Sequence, residues 1–210
     1  MPREGHLQQL FHIFSYLKKH PNTEMVFDPS VPDFNYDKFQ RQDWYQTVYG
    51  DAPLDLTPNM PKPRGQGFIV SAHVDSYHAG DTVTRRSRTG FFIYCNNSLV
   101  YCMSKKQGYI DTSSFGSESV SMRACTEYIR WLKFKLQMMG IQCDCPAFIY
   151  GDNQSKLANT TMPHSMLKKK SNCIAYHFLR EVNARDEWRA TYINTNDNRS
   201  NILTKPFPYG

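Results

Sequence analysis

Three acidic residues stand at positions in the chain where carboxylates could bind metal ions. Asp75 closes an apolar, strand-like stretch, Glu118 opens a long helical stretch, and Asp152 follows a short apolar strand. We expect them to meet, because strand ends and a helix start can converge at one edge of a mixed sheet. Adjoining carboxylates repel one another unless cations join them, and oxygen ligands without imidazole or thiolate favour Mg²⁺ or Mn²⁺. The spacing therefore predicts a divalent-metal centre.

Each of these acids also has an ordinary structural explanation. Asp152 could cap the helix that follows it, Glu118 could complement a helix dipole, and Asp75 could be a turn residue. The case for a metal centre therefore rests on the spacing and topology of the three acids taken together.

The elements that would position the acids follow the order β-β-β-α-β-α-α-β-α. Strands are predicted over residues 67–74, 90–95, 99–104, 147–150 and 188–193. Helices are predicted over residues 116–139, 153–160 and 169–185, with a last short helix in the tail from Asn198. Three meandering strands followed by crossovers indicate an α/β fold, in which helices flank a mixed five-stranded sheet.

The N-terminal third of the chain differs from the rest in its residue pattern. Residues 3–20 form an amphipathic pattern with apolar side chains at Leu7, Leu10, Phe11, Phe14 and Leu17, which predicts a helix. Residues 28–65 are rich in proline and have the character of a connector. We therefore divide the chain into residues 1–27, a connector over 28–65, and a domain over 66–210.

The composition favours a polyanionic partner. The 210 residues include 25 lysines and arginines against 19 acids, a formal net charge of +6. No apolar run reaches the ~20 residues that a membrane helix needs, so no membrane partner is expected. The first residues lack the apolar core of a signal peptide, which favours an intracellular protein.

Several short motifs follow one another over about residues 66–206. They read RRSRTGFFI, SKKQ, SSFGSE, YGDNQS, LKKKSNCIAYHFLRE and NILTKP. Their order resembles the C-terminal ribonuclease H domain of copia-type LTR retrotransposon Pol polyproteins, whose usual patterns include R-R-S-x-x-G, S-K-K-Q, D-N-x-S and A-D-x-x-T-K. Residues 3–27 resemble the stretch that closes the copia reverse transcriptase domain, whereas the polymerase motif Y-x-D-D does not occur in the sequence.

The resemblance implies a ribonuclease H-like fold and hydrolysis of the RNA strand of RNA–DNA hybrids. The family's catalytic acids map onto Asp75, Glu118 and Asp152, with two Mg²⁺ or Mn²⁺ ions bridging them and the scissile phosphate. The hybrid would be recognised by its backbone shape and 2′-hydroxyls, and the polymerase portion of a Pol protein would be a second partner. Such elements replicate in cytoplasmic particles, so the expected compartment is the cytoplasm or, for a freed domain, the nucleus.

Further residues are candidates for contact with the hybrid through their charge or hydrogen-bonding groups. They are His78, Arg85, Arg86, Arg88, Lys105, Lys106, Asn153, Ser155, Lys168, Lys169 and Lys170.

One departure from the family pattern affects the site. Asn201 occupies the place of the fourth catalytic acid in A-D-x-x-T-K, so it brings an amide oxygen without a charge. The substitution is expected to weaken the second ion's site, for which Asp197 is a possible compensating acid. Two alternatives to the enzyme therefore stay open: an impaired or domesticated module that binds nucleic acid or protein, and an inert remnant.

Overall fold

A five-stranded mixed sheet forms the centre of the molecule in a computed structural model, which describes residues 4–22, 24–50, 58–143, 145–167 and 172–205. The strands, in chain order, are β1 (Val70–Tyr77), β2 (Arg88–Cys95), β3 (Ser98–Lys106), β4 (Ala147–Gly151) and β5 (Trp188–Tyr192). They lie in the order β3-β2-β1-β4-β5, with β1 to β3 antiparallel and β4 and β5 added in parallel. The predicted α/β fold and its strand order along the chain are confirmed.

Five α-helices accompany the sheet within the described residues. They are α1 (Glu4–Lys19), α2 (Ser114–Met138), α3 (Gln154–Thr161), α4 (Cys173–Ala184) and α5 (Asn201–Thr204). The α2 helix covers one sheet face, where its Met122, Cys125 and Ile129 pack among Ala72 and Val74 of β1 in the core. No helix in the described part of the chain has the length and apolar character needed to cross a bilayer.

Asp152 follows β4 as predicted, whereas Asp75 and Glu118 lie further inside their elements than predicted. Asp75 lies inside β1, paired with Gly90 of β2, because β1 continues to Tyr77 along its full pairing with β2. Glu118 is the fifth residue of α2, so it lies in the second turn of that helix. The cap of α3 is Asn153, whose side chain accepts a hydrogen bond from the Lys156 amide. The turn, dipole and capping explanations of the acids are therefore wrong.

The second sheet face is partly covered by the segment that was predicted to be a connector. Residues 28–50 contain one regular element, a 3₁₀ helix at Tyr36–Lys38, yet they bury Phe39 and Trp44. The ring of Phe39 packs 4.9 Å from that of Phe148 and 5.2 Å from that of Tyr150, both on β4. The segment thus covers one face of β4, a strand that buries side chains on both of its faces.

The α5 helix reaches the same sheet face above β2. A Cβ atom on Gly90 would lie 2.5 Å from Thr204 Cγ2 and 2.8 Å from Leu203 Cβ, closer than real side chains approach. Only a glycine at this position lets α5 pack onto β2, and that approach brings Thr204 next to Asp75.

Candidate metal centre

Three elements bring the predicted carboxylates together. Asp75 comes from β1, Glu118 from α2 and Asp152 from the first position after β4, and one ligand oxygen from each lies within 4.8 Å of the others. They line an open cleft of about 440 Å³. The other residues of its wall are Ser76, Asn153, Gln154, Tyr192, Thr195 and Lys205.

A buried polar network fixes α2 above β1 and β2 beside the acids. The Ser76 hydroxyl of β1 donates to Ser117 Oγ of α2 at 2.9 Å. Gln107, from the SKKQ motif, donates to the Ser117 carbonyl at 3.0 Å and to Thr89 Oγ1 at 3.1 Å. Buried hydrogen bonds of this kind determine the position of α2, and through it the position of Glu118. The SKKQ motif contributed to the family resemblance, but nothing in the sequence assigned Gln107 a role.

Burial disfavours the charged form of two of the three acids. Asp75 is 2% exposed, and this burial raises the pKa of its carboxyl, while the hydrogen bond from the Thr204 hydroxyl acts in the opposite direction. Burial also raises the pKa of Glu118, while the nearby Lys156 ammonium lowers it. A cation in the cleft would relieve both penalties, because it stabilises the ionised carboxylates.

Lys156 is a site residue that the sequence interpretation missed. Its side chain belongs to α3 and is 2% exposed, and its ammonium donates to the main-chain oxygen of Glu118. Burial lowers the pKa of Lys156, whereas the Glu118 carboxylate raises it. Lysine is among the residues least often buried, so its residue type gave no signal of a place in the site.

Asn201 does not line the acidic cleft. Its amide nitrogen donates to the Thr195 carbonyl, and its Oδ1 accepts a hydrogen bond of 2.6 Å from Lys205 Nζ. Thr195 in turn donates through Oγ1 to Asp152 Oδ2 at 3.0 Å. Asn201 therefore holds the loop and a lysine that border the acids. Asp197, the possible compensating acid, lines a separate cavity of about 330 Å³ with His73 and Arg199.

A basic hollow adjoins the acidic cleft. Its volume is about 490 Å³, and its wall includes Arg86, Arg88 and Lys106, together with Thr204 and Lys205. Because Lys205 also lines the acidic cleft, the two depressions share a border. Lys106 is paired with Asp81 at 2.8 Å, so part of its charge is already matched.

The remaining candidates for contact with nucleic acid differ in their exposure and in their local contacts. Arg85, Lys105 and Ser155 are exposed, and Asn153 borders the cleft while capping α3. His78 is half-buried, with Nδ1 3.5 Å from Ser87 Oγ. Lys168, Lys169 and Lys170 lie outside the described residues.

The donor set of the cleft fits a divalent metal ion. Its three converging ligands are carboxylates, the donors preferred by Mg²⁺ and Mn²⁺, and the cluster contains neither histidine nor cysteine. Two of the three are buried acids whose raised pKa values a bound cation would lower. The cluster is compatible with divalent-metal binding.

Comparison with known sequences points to transposon proteins. No protein-family model matches the chain. The retrovirus-related Pol polyprotein from transposon RE2 of Arabidopsis thaliana is 29% identical over 143 residues, 68% of this chain. That from transposon RE1 of the same plant is 25% identical over 206 residues, 98% of this chain. That from transposon TNT 1-94 of Nicotiana tabacum is 28% identical over 146 residues, 69% of this chain. The chain spans only 10–12% of the length of these relatives.

Solved structures with the same fold are ribonucleases H. The crystal structure of LC11-RNase H1 in complex with an RNA/DNA hybrid matches with a TM-score of 0.52 and 12% identity, over 64% of this chain and 93% of that one. A second structure of LC11-RNase H1, isolated from compost by a metagenomic approach, matches with a TM-score of 0.51 and 12% identity, over 67% and 94% of the two chains. The chain thus has a ribonuclease H-like fold, and its homologues are retrovirus-related Pol polyproteins of plant transposons.

Proposed function

We propose that this chain is the ribonuclease H region of a retrotransposon Pol protein and that it hydrolyses the RNA strand of RNA–DNA hybrids. The observation that carries the proposal is the convergence of Asp75, Glu118 and Asp152 beside β1, the central strand of a ribonuclease H-like sheet. The Pol relatives and the hybrid bound by LC11-RNase H1 support the same substrate class.

The proposed roles follow from the positions of the side chains. Asp75, Glu118 and Asp152 would hold Mg²⁺ or Mn²⁺, which would bind the scissile phosphate. Divalent cations bound there would activate a water molecule for in-line attack and stabilise the leaving 3′ oxygen. The products of this reaction carry 5′-phosphate and 3′-hydroxyl ends.

The basic hollow is the proposed binding surface for the hybrid backbone. Arg86 and Arg88 offer guanidinium groups to phosphates next to the acids, and exposed Arg85 and Lys105 extend this surface. Asn153 and Ser155, at the start of α3, are proposed to bond ribose hydroxyls, which distinguish RNA from DNA. His78, Lys106 and the 168–170 lysines are proposed as additional backbone contacts.

The proposal is tested by cleavage of a hybrid with a labelled RNA strand, in Mg²⁺, in Mn²⁺ and in EDTA. We expect cleavage with either ion, none in EDTA, and a loss of at least a hundredfold in the rate for Asp152→Asn, because one ligand charge is removed. Thr161→Val is the control, since the Thr161 hydroxyl bonds the Leu157 carbonyl within α3 and Thr161 does not line the acidic cleft. Cleavage by Asp152→Asn at the wild-type rate would refute the proposed site.

The α1 helix is proposed to pack against the polymerase portion of a longer Pol protein. None of its residues is buried, and large apolar side chains such as Leu10, Phe11 and Phe14 are exposed. The RE1 relative aligns along 98% of this chain and is far longer, so such a protein contains the chain length needed to cover the helix. The proposed compartment is the cytoplasmic particle of the element or the nucleus.

A binding module without catalytic activity is the second candidate. The neutral Asn201 favours it, because the position lacks the family's negative charge and its side chain instead holds Lys205 at the border of the cleft. This candidate predicts binding of the hybrid with no cleavage in either metal ion.

A further inference from the structure

Two lysine ammonium groups lie close to members of the acidic triad. Lys205 Nζ lies 3.9 Å from Asp75 Oδ2 and borders the cleft from α5's C-terminal end. Lys156 Nζ is buried against the Glu118 main-chain oxygen. Neither lysine was assigned to the site from the sequence.

A chain of hydrogen bonds fixes the Lys205 ammonium in place. Its Nζ donates to Asn201 Oδ1 at 2.6 Å, and the Asn201 amide donates to the Thr195 carbonyl. The Thr195 hydroxyl then reaches Asp152 Oδ2 at 3.0 Å. Hydrogen bonds through Asn201 and Thr195 thus connect the ammonium to Asp152 and restrict the movement of the Lys205 side chain.

Counting formal charges shows how little negative charge is left for metal ions. Three carboxylates and two ammonium groups leave one net negative charge in the site. The count is the same wherever the proton between Glu118 and Lys156 resides, because that pair is neutral in both forms. Two divalent ions would bring four positive charges into this environment, and no fourth carboxylate joins the cluster among the described residues.

We propose that the resting protein binds one divalent ion in the triad, and that the Lys205 ammonium replaces a second ion beside Asp75. This inference rests on the proposed function, because it assumes that the triad is a metal centre. The ammonium lies 3.9 Å from Asp75 Oδ2, so it would repel a further cation near that carboxylate electrostatically. Asn201 acts in this arrangement as a positioning residue that holds Lys205.

The test is Mn²⁺ stoichiometry, measured by isothermal titration calorimetry and by electron paramagnetic resonance of free Mn²⁺. We expect the wild-type chain to bind one ion and Lys205→Met to bind two. The affinity for the second ion should be about tenfold or more higher in the variant than in the wild type, since one repelling unit charge is removed. Lys205→Gln repeats the test should the methionine variant be poorly folded by circular dichroism. Lys135→Met, at an exposed position in the last turn of α2, is the control and should bind one ion.

Asn201→Asp provides a second, opposite arm of the test. The new carboxylate would pair with Lys205, which already contacts this position at 2.6 Å, so the single variant should still bind one ion. The double variant Asn201→Asp with Lys205→Met should bind two ions. Tight binding of two ions by the wild type, or of one ion by Lys205→Met, would overturn the inference and leave the metal centre standing. Absence of any Mn²⁺ binding would instead overturn both the inference and the proposed function.

Discussion

Asp75 shows how a single residue can be held ready for a cation. Its carboxylate is buried in β1 and accepts a hydrogen bond from the Thr204 hydroxyl, while Asp152 adds a repelling charge. Burial is the largest of these influences, and it raises the pKa of Asp75. The Thr204 bond partly offsets that rise, since it favours the ionised form that binds metal.

Replacing Thr204 with valine should weaken the metal site and leave the fold intact. The change keeps the shape of the side chain and removes the donor to Asp75, so the pKa of Asp75 rises further. We expect Mn²⁺ affinity to fall about tenfold, because this factor corresponds to the free energy that one hydrogen bond to a charged group contributes. Calorimetric titration of Thr204→Val against Thr161→Val measures the difference. Equal affinities in the two variants would show that the Thr204 hydroxyl does not support Asp75.

His73 is a second buried titratable residue of β1, and it makes stability depend on pH. Its ring stacks on Tyr150 at 4.8 Å, and burial lowers its pKa to about 4. The folded pKa lies below the unfolded value of 6.5, so protons bind preferentially to the unfolded chain. This contribution to stability is complete above pH 6.5 and is lost as the pH falls toward 4.

Urea unfolding at pH 7 and pH 5 measures the effect of His73. We expect the wild type to lose about 2 kcal/mol through this one group, and His73→Phe to lose correspondingly less. His12→Gln, at an exposed position of α1, is the control and should follow the wild type. A His73→Phe variant with the same pH dependence as the wild type would contradict the assignment.

The α5 helix is the element on which the site most depends. Its four residues place Thr204 against Asp75, while Lys205, which follows, borders the cleft. The helix lies on β2 only because Gly90 has no side chain there. A short helix so placed gains its stability from packing, since four residues are too few to hold a helix by themselves.

Gly90→Ala should therefore displace α5. We expect the variant to be destabilised by about 1–3 kcal/mol, as for other overpacked sites, and to bind Mn²⁺ more weakly. Gly108→Ala is the matched control, because a Cβ atom there would meet nothing within 4 Å. Thermal unfolding measures the stability of both variants, and calorimetric titration measures their Mn²⁺ affinity. Unchanged metal affinity in Gly90→Ala would show that the position of α5 does not affect the metal site.

Much of the architecture could be predicted from local signals. Alternating apolar runs and an Asn-rich turn predicted β1 to β3, and the spacing of Asp75, Glu118 and Asp152 predicted their convergence. The packing of residues 28–50 could not be predicted, since nothing in a proline-rich stretch states which surface it covers. The burial of Lys156 was also hidden, because it depends on how α3 docks beside α2.

At the scale of the whole molecule, apolar surface is unevenly distributed. The sheet and its helices bury a continuous core, whereas α1 has no buried residue and exposes Phe11 and Phe14 at 58% each. A helix with this surface contributes little to the stability of the chain by itself and is suited to a partner surface.

The double change Phe11→Ser and Phe14→Ser should leave the free energy of unfolding within about 0.5 kcal/mol of the wild type, as for other surface positions. Phe39→Ala, at 1% exposed, should instead cost about 3–5 kcal/mol because it empties part of the packed sheet face. Urea unfolding of the two variants gives both numbers. A large loss for the α1 variant would mean that the helix packs on the domain.

The net charge of +6 gains a specific meaning at this scale. Part of it lies in the basic hollow beside the acids, and part is the Lys205 ammonium at the border of the cleft. The same excess of positive charge can thus favour a polyanion and reduce the number of metal ions that the acids hold.

The most direct measurement uses an RNA–DNA hybrid whose two strands carry different labels, incubated with the chain and Mn²⁺. We predict that only the RNA strand is cut, that the fragments carry 5′-phosphate and 3′-hydroxyl ends, and that Asp152→Asn abolishes the cleavage. Cleavage of the DNA strand at a similar rate, or RNA cleavage that persists in Asp152→Asn, would contradict a metal-dependent ribonuclease H centred on Asp75, Glu118 and Asp152.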